Sequence, residues 1–210
     1  LRAAAKKIEE LERRLSLNEL FATLEPKPPQ WLTPKRALKT NNSTVCAMLS
    51  DTHFDEVVNP REVNGLNAYN REIAEKRLRR FFDKAITIPR DQFGGMSYDG
   101  IVLFLGGDMI SGDIHEELRE TNEDTILGTL LHWSEQLAAG IDMLAEQYVA
   151  VHVVSVCGNH GRRTRKERAK LRARDSFDWI LAHMTARAVK AENVTWQIPE
   201  ATDARGHIHN

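Results

Sequence analysis

Val45-Cys46-Ala47-Met48-Leu49-Ser50-Asp51-Thr52-His53 is an apolar run that stops abruptly at an aspartate and a histidine two positions apart. Side chains of an extended segment alternate faces, which predicts that Asp51 and His53 point the same way and grip one cation together. Two ligands do not make a site, but other apolar runs of the chain end in the same manner. Ile101-Val102-Leu103-Phe104-Leu105 leads into Gly106-Gly107-Asp108, and Val149 to Cys157 leads into Gly158-Asn159-His160. Continuous apolar runs of this kind mark strands buried on both faces. Alternation of strands with helices implies right-handed crossovers and largely parallel neighbours, so the three corners are expected at one sheet edge.

The intervening segments fit the connectors such a sheet needs. A helical pattern runs from about Asn64 to Ile88, with Leu66, Tyr69, Ile73, Leu78, Phe81, Phe82 and Ile86 on its apolar side, and Gly94-Gly95 punctuate the loop after it. A second pattern runs from about Glu116 to Glu146, as one helix or two, and holds His132 as a core or surface helical histidine rather than a ligand. A third helix is expected from about Thr164 to Ala191, basic in its first half, with His183 in its middle. Val194 to Ile198 reads as a fourth strand. Upstream, Ile8, Leu11, Leu15, Leu17, Leu20 and Phe21 predict an amphipathic helix over about Ala3 to Thr23. Such a helix either docks on its own domain or serves a partner or a second copy. Pro26, Pro28 and Pro29 break the helix and extend the backbone into a linker, so residues 1–43 form a helical arm and residues 44–210 the domain proper. The opening in a charged segment without Met predicts a piece of a longer product.

With 210 residues the chain suits one domain with a substantial core. A composition of 41% hydrophobic and 28% charged residues excludes disordered and fibrous classes. No apolar run approaches the roughly 18 residues that span a bilayer, and no signal-peptide pattern opens the chain. A cytoplasmic location and no membrane partner are therefore expected. Cys46 and Cys157 lie far apart in apolar runs and are expected as buried core thiols, not a disulfide. Charge nearly cancels, with 29 basic and 30 acidic residues, so any signal for a polyanionic partner has to be local.

Asp51 with His53, Asp108, and Asn159 with His160 thus follow three strands, and His207 and His209 repeat the spacing of two near the C-terminus. Carboxylate, carboxamide and imidazole together favour Mn, Fe, Zn or Co over Ca and make Mg alone less attractive. A donor set of this size exceeds what one ion takes from a protein. Two ions about 3.5 to 4 Å apart, bridged by one carboxylate, would use it fully. Asp55 and His115 flank the motifs and are expected as solvated loop residues, the alternative being that they orient a metal-bound histidine.

Ser50-Asp51-Thr52-His53, Gly106-Gly107-Asp108, Gly158-Asn159-His160 and Gly206-His207-Ile208-His209, in that order, resemble the signature of the calcineurin-like metallophosphoesterases over about residues 44 to 209. That family includes protein phosphatases, nucleotide phosphodiesterases and nuclease subunits of double-strand-break repair; the helical insert between the first two motifs is similar to that of phage-encoded members. The resemblance implies an α/β fold built as an α+β sandwich, with two sheets flanked by helices. It implies that Asp51, His53 and His209 hold one divalent ion, that Asn159 and His207 hold the other, and that Asp108 bridges them. Mn is the first expectation for both ions, with Fe, Zn, Co or Mg as substitutes. His160 would be catalytic and not a ligand, giving a proton to the leaving oxygen or stabilising the transition state while a metal-activated water attacks. Members usually carry one more strand-end histidine between the Asn-His and Gly-His-x-His motifs, and further strands. The four strands visible here predict residues absent near Arg205-Gly206 or an incomplete C-terminal sheet.

Arg162 to Arg174 begins two residues after His160 and carries eight basic residues against one acidic. Beside a phosphoryl-transfer site this run is placed to neutralise a polynucleotide backbone, with Arg162, Arg163 and Arg165 nearest the site. Arginine also serves single phosphates. No groove-reading or base-stacking motif accompanies the run, so recognition without sequence preference is expected. The expected activity is a metal-dependent phosphodiesterase, foremost a nuclease on DNA or RNA. The alternatives are a phosphomonoesterase or small-nucleotide phosphodiesterase, and a non-catalytic interaction module that keeps the fold.

Overall fold

The computed structural model describes residues 42–93, 97–114, 116–164, 166 and 172–200. The amphipathic helix and its linker, His115, Arg165, the Arg205-Gly206 junction, His207 and His209 lie outside the described residues. Four strands, β1 (Asn42–Leu49), β2 (Ser97–Leu105), β3 (Val151–Ser155) and β4 (Val194–Gln197), form one sheet in the order β1-β2-β3-β4. All three pairings are parallel. Helix α1 (Arg71–Gln92) connects β1 to β2, a short α2 (Glu116–Thr121) and α3 (Ile126–Gln147) connect β2 to β3, and α4 (Phe177–Ala188) connects β3 to β4. The chain is therefore α/β, with a parallel sheet that advances one strand per crossover.

Register sorts the strand side chains into two faces. Val45, Ile101, Val151 and Val194 share one row, and Ala47, Leu103, Val153 and Trp196 another on the same face. These residues form one cluster with Leu78 and Phe82 of α1, Trp133, Leu137 and Ile141 of α3, and Leu181 of α4. Helix α1 packs on α3 and α3 on α4, so the three long helices cover this face together. Gly140 permits the α1–α3 approach, because a methyl group there would collide with the Phe82 ring. Side-chain oxygens cap each long helix: Asn70 accepts from the Ile73 amide, Thr125 from Gly128, and Ser176 from Asp178.

The intervening rows, Cys46-Val102-His152-Thr195 and Met48-Phe104-Val154-Gln197, belong to the second face. Cys46 is exposed there, which corrects the expectation of a buried thiol. Alternation places it away from the helices, and an edge strand leaves it open. Cys157 is half-buried just past β3, and burial with the nearby Asp178 charge pushes its thiol up to about 11.

Two helix expectations change. Helix α1 starts at Arg71 and not near Asn64, because residues 60–65 form turns and Asn70 supplies the cap. Of the helix expected from Thr164, the part from Phe177 is observed as α4; Thr164 and Lys166 sit in bends and Arg172 to Asp175 in turns, and residues 165 and 167–171 lie outside the described residues. Among the described residues no helix is long and apolar enough to cross a membrane.

Candidate metal centre

Past the ends of β1 and β2 the two chains continue side by side. The amides of Asp51, His53 and Phe54 donate to the carbonyls of Gly107 (3.1 Å), Asp108 (3.1 Å) and Met109 (2.8 Å). The Thr52 hydroxyl adds a bond to the Met109 carbonyl at 2.7 Å. Asp51 and His53 therefore lie beyond the strand, not in it. Their backbones are left-handed, with φ of 53° and 44°, as is that of Asp108 at 48°. The strand alternation from which their common orientation was predicted therefore does not reach these residues, which sit in a strained loop held by its neighbour. Left-handed φ costs about 1 to 2 kcal/mol at a residue with a Cβ, and surrounding bonds must enforce it.

The third corner meets the second at contact distance. A methyl group on Gly107, whose φ is 85°, would lie 2.5 Å from the Gly158 nitrogen, and only glycine suits both the conformation and the approach. The His160 amide donates to Asp108 Oδ1 at 2.6 Å. The His160 ring lies edge-on to the His53 ring, with centroids 4.4 Å apart. His160 Nδ1 is 2.8 Å from the Ser111 carbonyl. A carbonyl only accepts, so Nδ1 carries the proton and Nε2 is the nitrogen that gains or loses one.

Asp178, in the first turn of α4, fastens these corners, and nothing in the sequence marked it for that role. One carboxylate oxygen accepts from the amides of Gly158 (2.9 Å) and Asp108 (3.2 Å), and the other from Met109 (3.2 Å). Burial raises its pKa to about 6 against the pull of the Gly158 and Met109 amides. An acid two residues after a Ser cap was visible in the sequence; its inward aim was not.

Asp55 is 1% exposed and is not the solvated loop residue expected. Arg71 clasps its carboxylate through two nitrogens at 2.8 and 2.6 Å, and Thr129 Oγ1 (2.7 Å) and Trp133 Nε1 (3.1 Å) complete the shell. Burial alone would raise its pKa, but bonds from Arg71, Thr129 and Trp133 prevail and hold it below the usual carboxylate value. Its role is to anchor the loop carrying His53 to α1 and α3. Glu56, and not Asp55, faces the His53 ring, with Oε2 3.8 Å from Nδ1.

The structure thus brings Asp51, His53, Asp108, Asn159 and His160 to one edge of the sheet. Their donor chemistry suits a divalent ion, yet among the described residues no three His, Cys, Asp or Glu side chains group to hold one. His207 and His209, needed to complete the set, are outside the described residues. His132 contacts Glu75 at 2.9 Å on the helical layer, and His183 packs on Trp179 with centroids 4.1 Å apart, so neither joins the corners. Of the basic run, Arg163 pairs with Asp175 at 2.9 Å and Arg162 Nε donates to the Asn159 carbonyl at 2.9 Å. No family model, curated protein or solved structure matches the chain.

Proposed function

We propose that the chain is a metal-dependent phosphodiesterase whose foremost substrate is DNA or RNA. The observation that carries this reading is the convergence of three strand-end corners, with left-handed backbone at Asp51, His53 and Asp108 and the His160 amide on the Asp108 carboxylate. Backbone strain that neighbouring loops must enforce is characteristic of functional sites. Asp51, His53, Asp108 and Asn159, with His207 and His209, would hold two divalent ions, Mn foremost. When bound, such ions polarise a phosphoryl group and make water nucleophilic at neutral pH. His160 stands beside them with Nδ1–H committed to Ser111, which directs proton delivery to the leaving oxygen through Nε2. Asp178 holds the amides of Asp108 and Gly158, and thereby the spacing of two corners. The same reading takes the fold to be a two-sheet sandwich. Apolar Met48, Val102, Phe104 and Val154 on the sheet face away from the helices support that view.

A small-nucleotide phosphodiesterase is the second reading, favoured by the engagement of Arg162 and Arg163 within the chain. The test compares the full chain and His160→Ala, with Mn supplied, on single-stranded DNA, duplex DNA and bis(4-nitrophenyl) phosphate. Turnover that falls by about 100-fold or more on substitution is expected of a general acid, and unchanged turnover removes the role of His160. Binding of DNA that weakens steeply with salt supports the nuclease, whereas a salt-indifferent substrate supports the second reading. No Mn-dependent turnover of any ester leaves the non-catalytic module.

A further inference from the structure

A cavity of about 350 Å³ opens directly beside Asp51 and His53, between their loop, residues 67–69 and helix α1. Its floor is apolar, made by buried Leu49, Phe54 and Leu78. Its polar lining comprises Asp51, His53 with Glu56 beside it, Asn67 and Arg77. The Arg77 guanidinium lies over the Tyr69 ring, 5.2 Å from its centroid, and has no carboxylate partner among the described residues. Tyr69 is held in place by its hydroxyl, which donates to the Thr52 carbonyl. An exposed arginine kept over an aromatic ring at the edge of an apolar floor presents a flat cationic surface, suited to stacking on a second flat group. The volume lies at the lower end for ligand pockets and suits one ring-bearing unit, not a stretch of polymer.

We propose that this cavity receives a single nucleobase, that of the nucleoside esterified to the phosphate held at Asp51 and His53. The base lies on the floor of Leu49, Phe54 and Leu78, Arg77 closes over its face, and Asn67 meets its polar edge. This inference rests on the phosphodiesterase reading for the position of the phosphate. It deepens that reading by assigning substrate choice to the segment between β1 and α1, away from the basic run after His160. A polynucleotide would then be engaged through one unstacked or terminal residue.

The test measures binding of adenosine 5′-monophosphate and of inorganic phosphate to the Mn-supplied full chain by calorimetry. Wild type, Arg77→Ala, Asn67→Trp at the exposed rim, and Arg80→Ala outside the cavity are compared. The nucleotide is expected to bind at least tenfold more tightly than phosphate. Arg77→Ala and Asn67→Trp should each remove most of that margin, and Arg80→Ala should keep it. Equal affinity for nucleotide and phosphate in wild type, or a margin that survives both cavity variants, overturns the proposal. Turnover of methyl 4-nitrophenyl phosphate, which has no base, is scored in parallel. Turnover without the binding margin sinks the cavity assignment alone, and a margin without turnover of any ester sinks the phosphodiesterase reading alone.

Discussion

Asp178 shows how much of the site depends on a side chain that would touch neither ion nor substrate. Three amides from two loops end on its carboxylate. Asp178→Ala leaves these buried donors without an acceptor and is expected to cost about 3 kcal/mol in urea unfolding, with Asp178→Asn intermediate because it retains one oxygen. His152, on the other face of the sheet, makes a pH prediction. Burial lowers its pKa from the ordinary value, and Thr195 Oγ1 lies 2.9 Å from Nδ1. The native protein therefore binds fewer protons at this ring than the unfolded chain does. The stability contribution present above about pH 6.5 is lost as pH falls below it. The urea midpoint should drop less between pH 7.5 and 5.5 in His152→Gln than in wild type; an identical drop would refute the assignment. At this scale the gathering of Asp51, His53, Asp108, Asn159 and His160 at one sheet edge was legible in the sequence, because each follows an apolar run and parallel strands end on the same side. Their left-handed backbone was not, since it arises from loop-to-loop bonds between residues more than fifty positions apart.

Helices α1 and α3 do more than cover the sheet. Asp55 receives Arg71 from the start of α1 and Thr129 and Trp133 from α3, so the loop behind His53 is registered against both helices at once. Asp55→Ala leaves the Arg71 guanidinium with Asp124 as its remaining carboxylate partner and a buried indole donor unmatched, and is expected to cost about 3 kcal/mol by chemical denaturation. Between the same helices, Gly140→Ala tests packing against propensity. Alanine gains about 1 kcal/mol in an isolated helix. Here its methyl group meets the Phe82 ring, so net destabilisation of about 1 to 3 kcal/mol is expected. Helical periodicity disclosed α1 and α3 well, because each buries a long apolar stripe. It misjudged Arg172 to Asp175, which form turns ahead of the Ser176 cap where periodicity alone read continuous helix. Strand alternation in β1 was equally legible, whereas the exposure of Cys46 and Met48, on a face where Val102 and Val154 of the neighbouring strands are buried, has no local signature.

For the molecule as a whole, a sheet that advances β1-β2-β3-β4 with its long helices on one face sets three loops in a row at its C-terminal edge. Among the described residues the order never reverses, and no crevice opens between diverging crossovers of the kind that usually receives ligands in such folds. The candidate centre is instead assembled by loops leaning on one another, and ion binding should tighten the entire domain. Thermal unfolding of the full chain is expected to rise with added Mn and return with chelator, a gain of about 2.7 kcal/mol when Mn stands at 100 times its dissociation constant. Asp108→Asn should abolish most of that gain, and an Mn-independent midpoint in wild type would count against the metal centre. The left-handed positions carry a last implication, for descent. Glycine at residue 51 or 53 would relieve about 1 kcal/mol of backbone strain while discarding a donor. On the metal-centre reading, selection for activity and selection for stability pull these positions in opposite directions. A lineage released from the chemistry would be expected to drift toward glycine or asparagine there first, leaving the sheet intact and the corners silent.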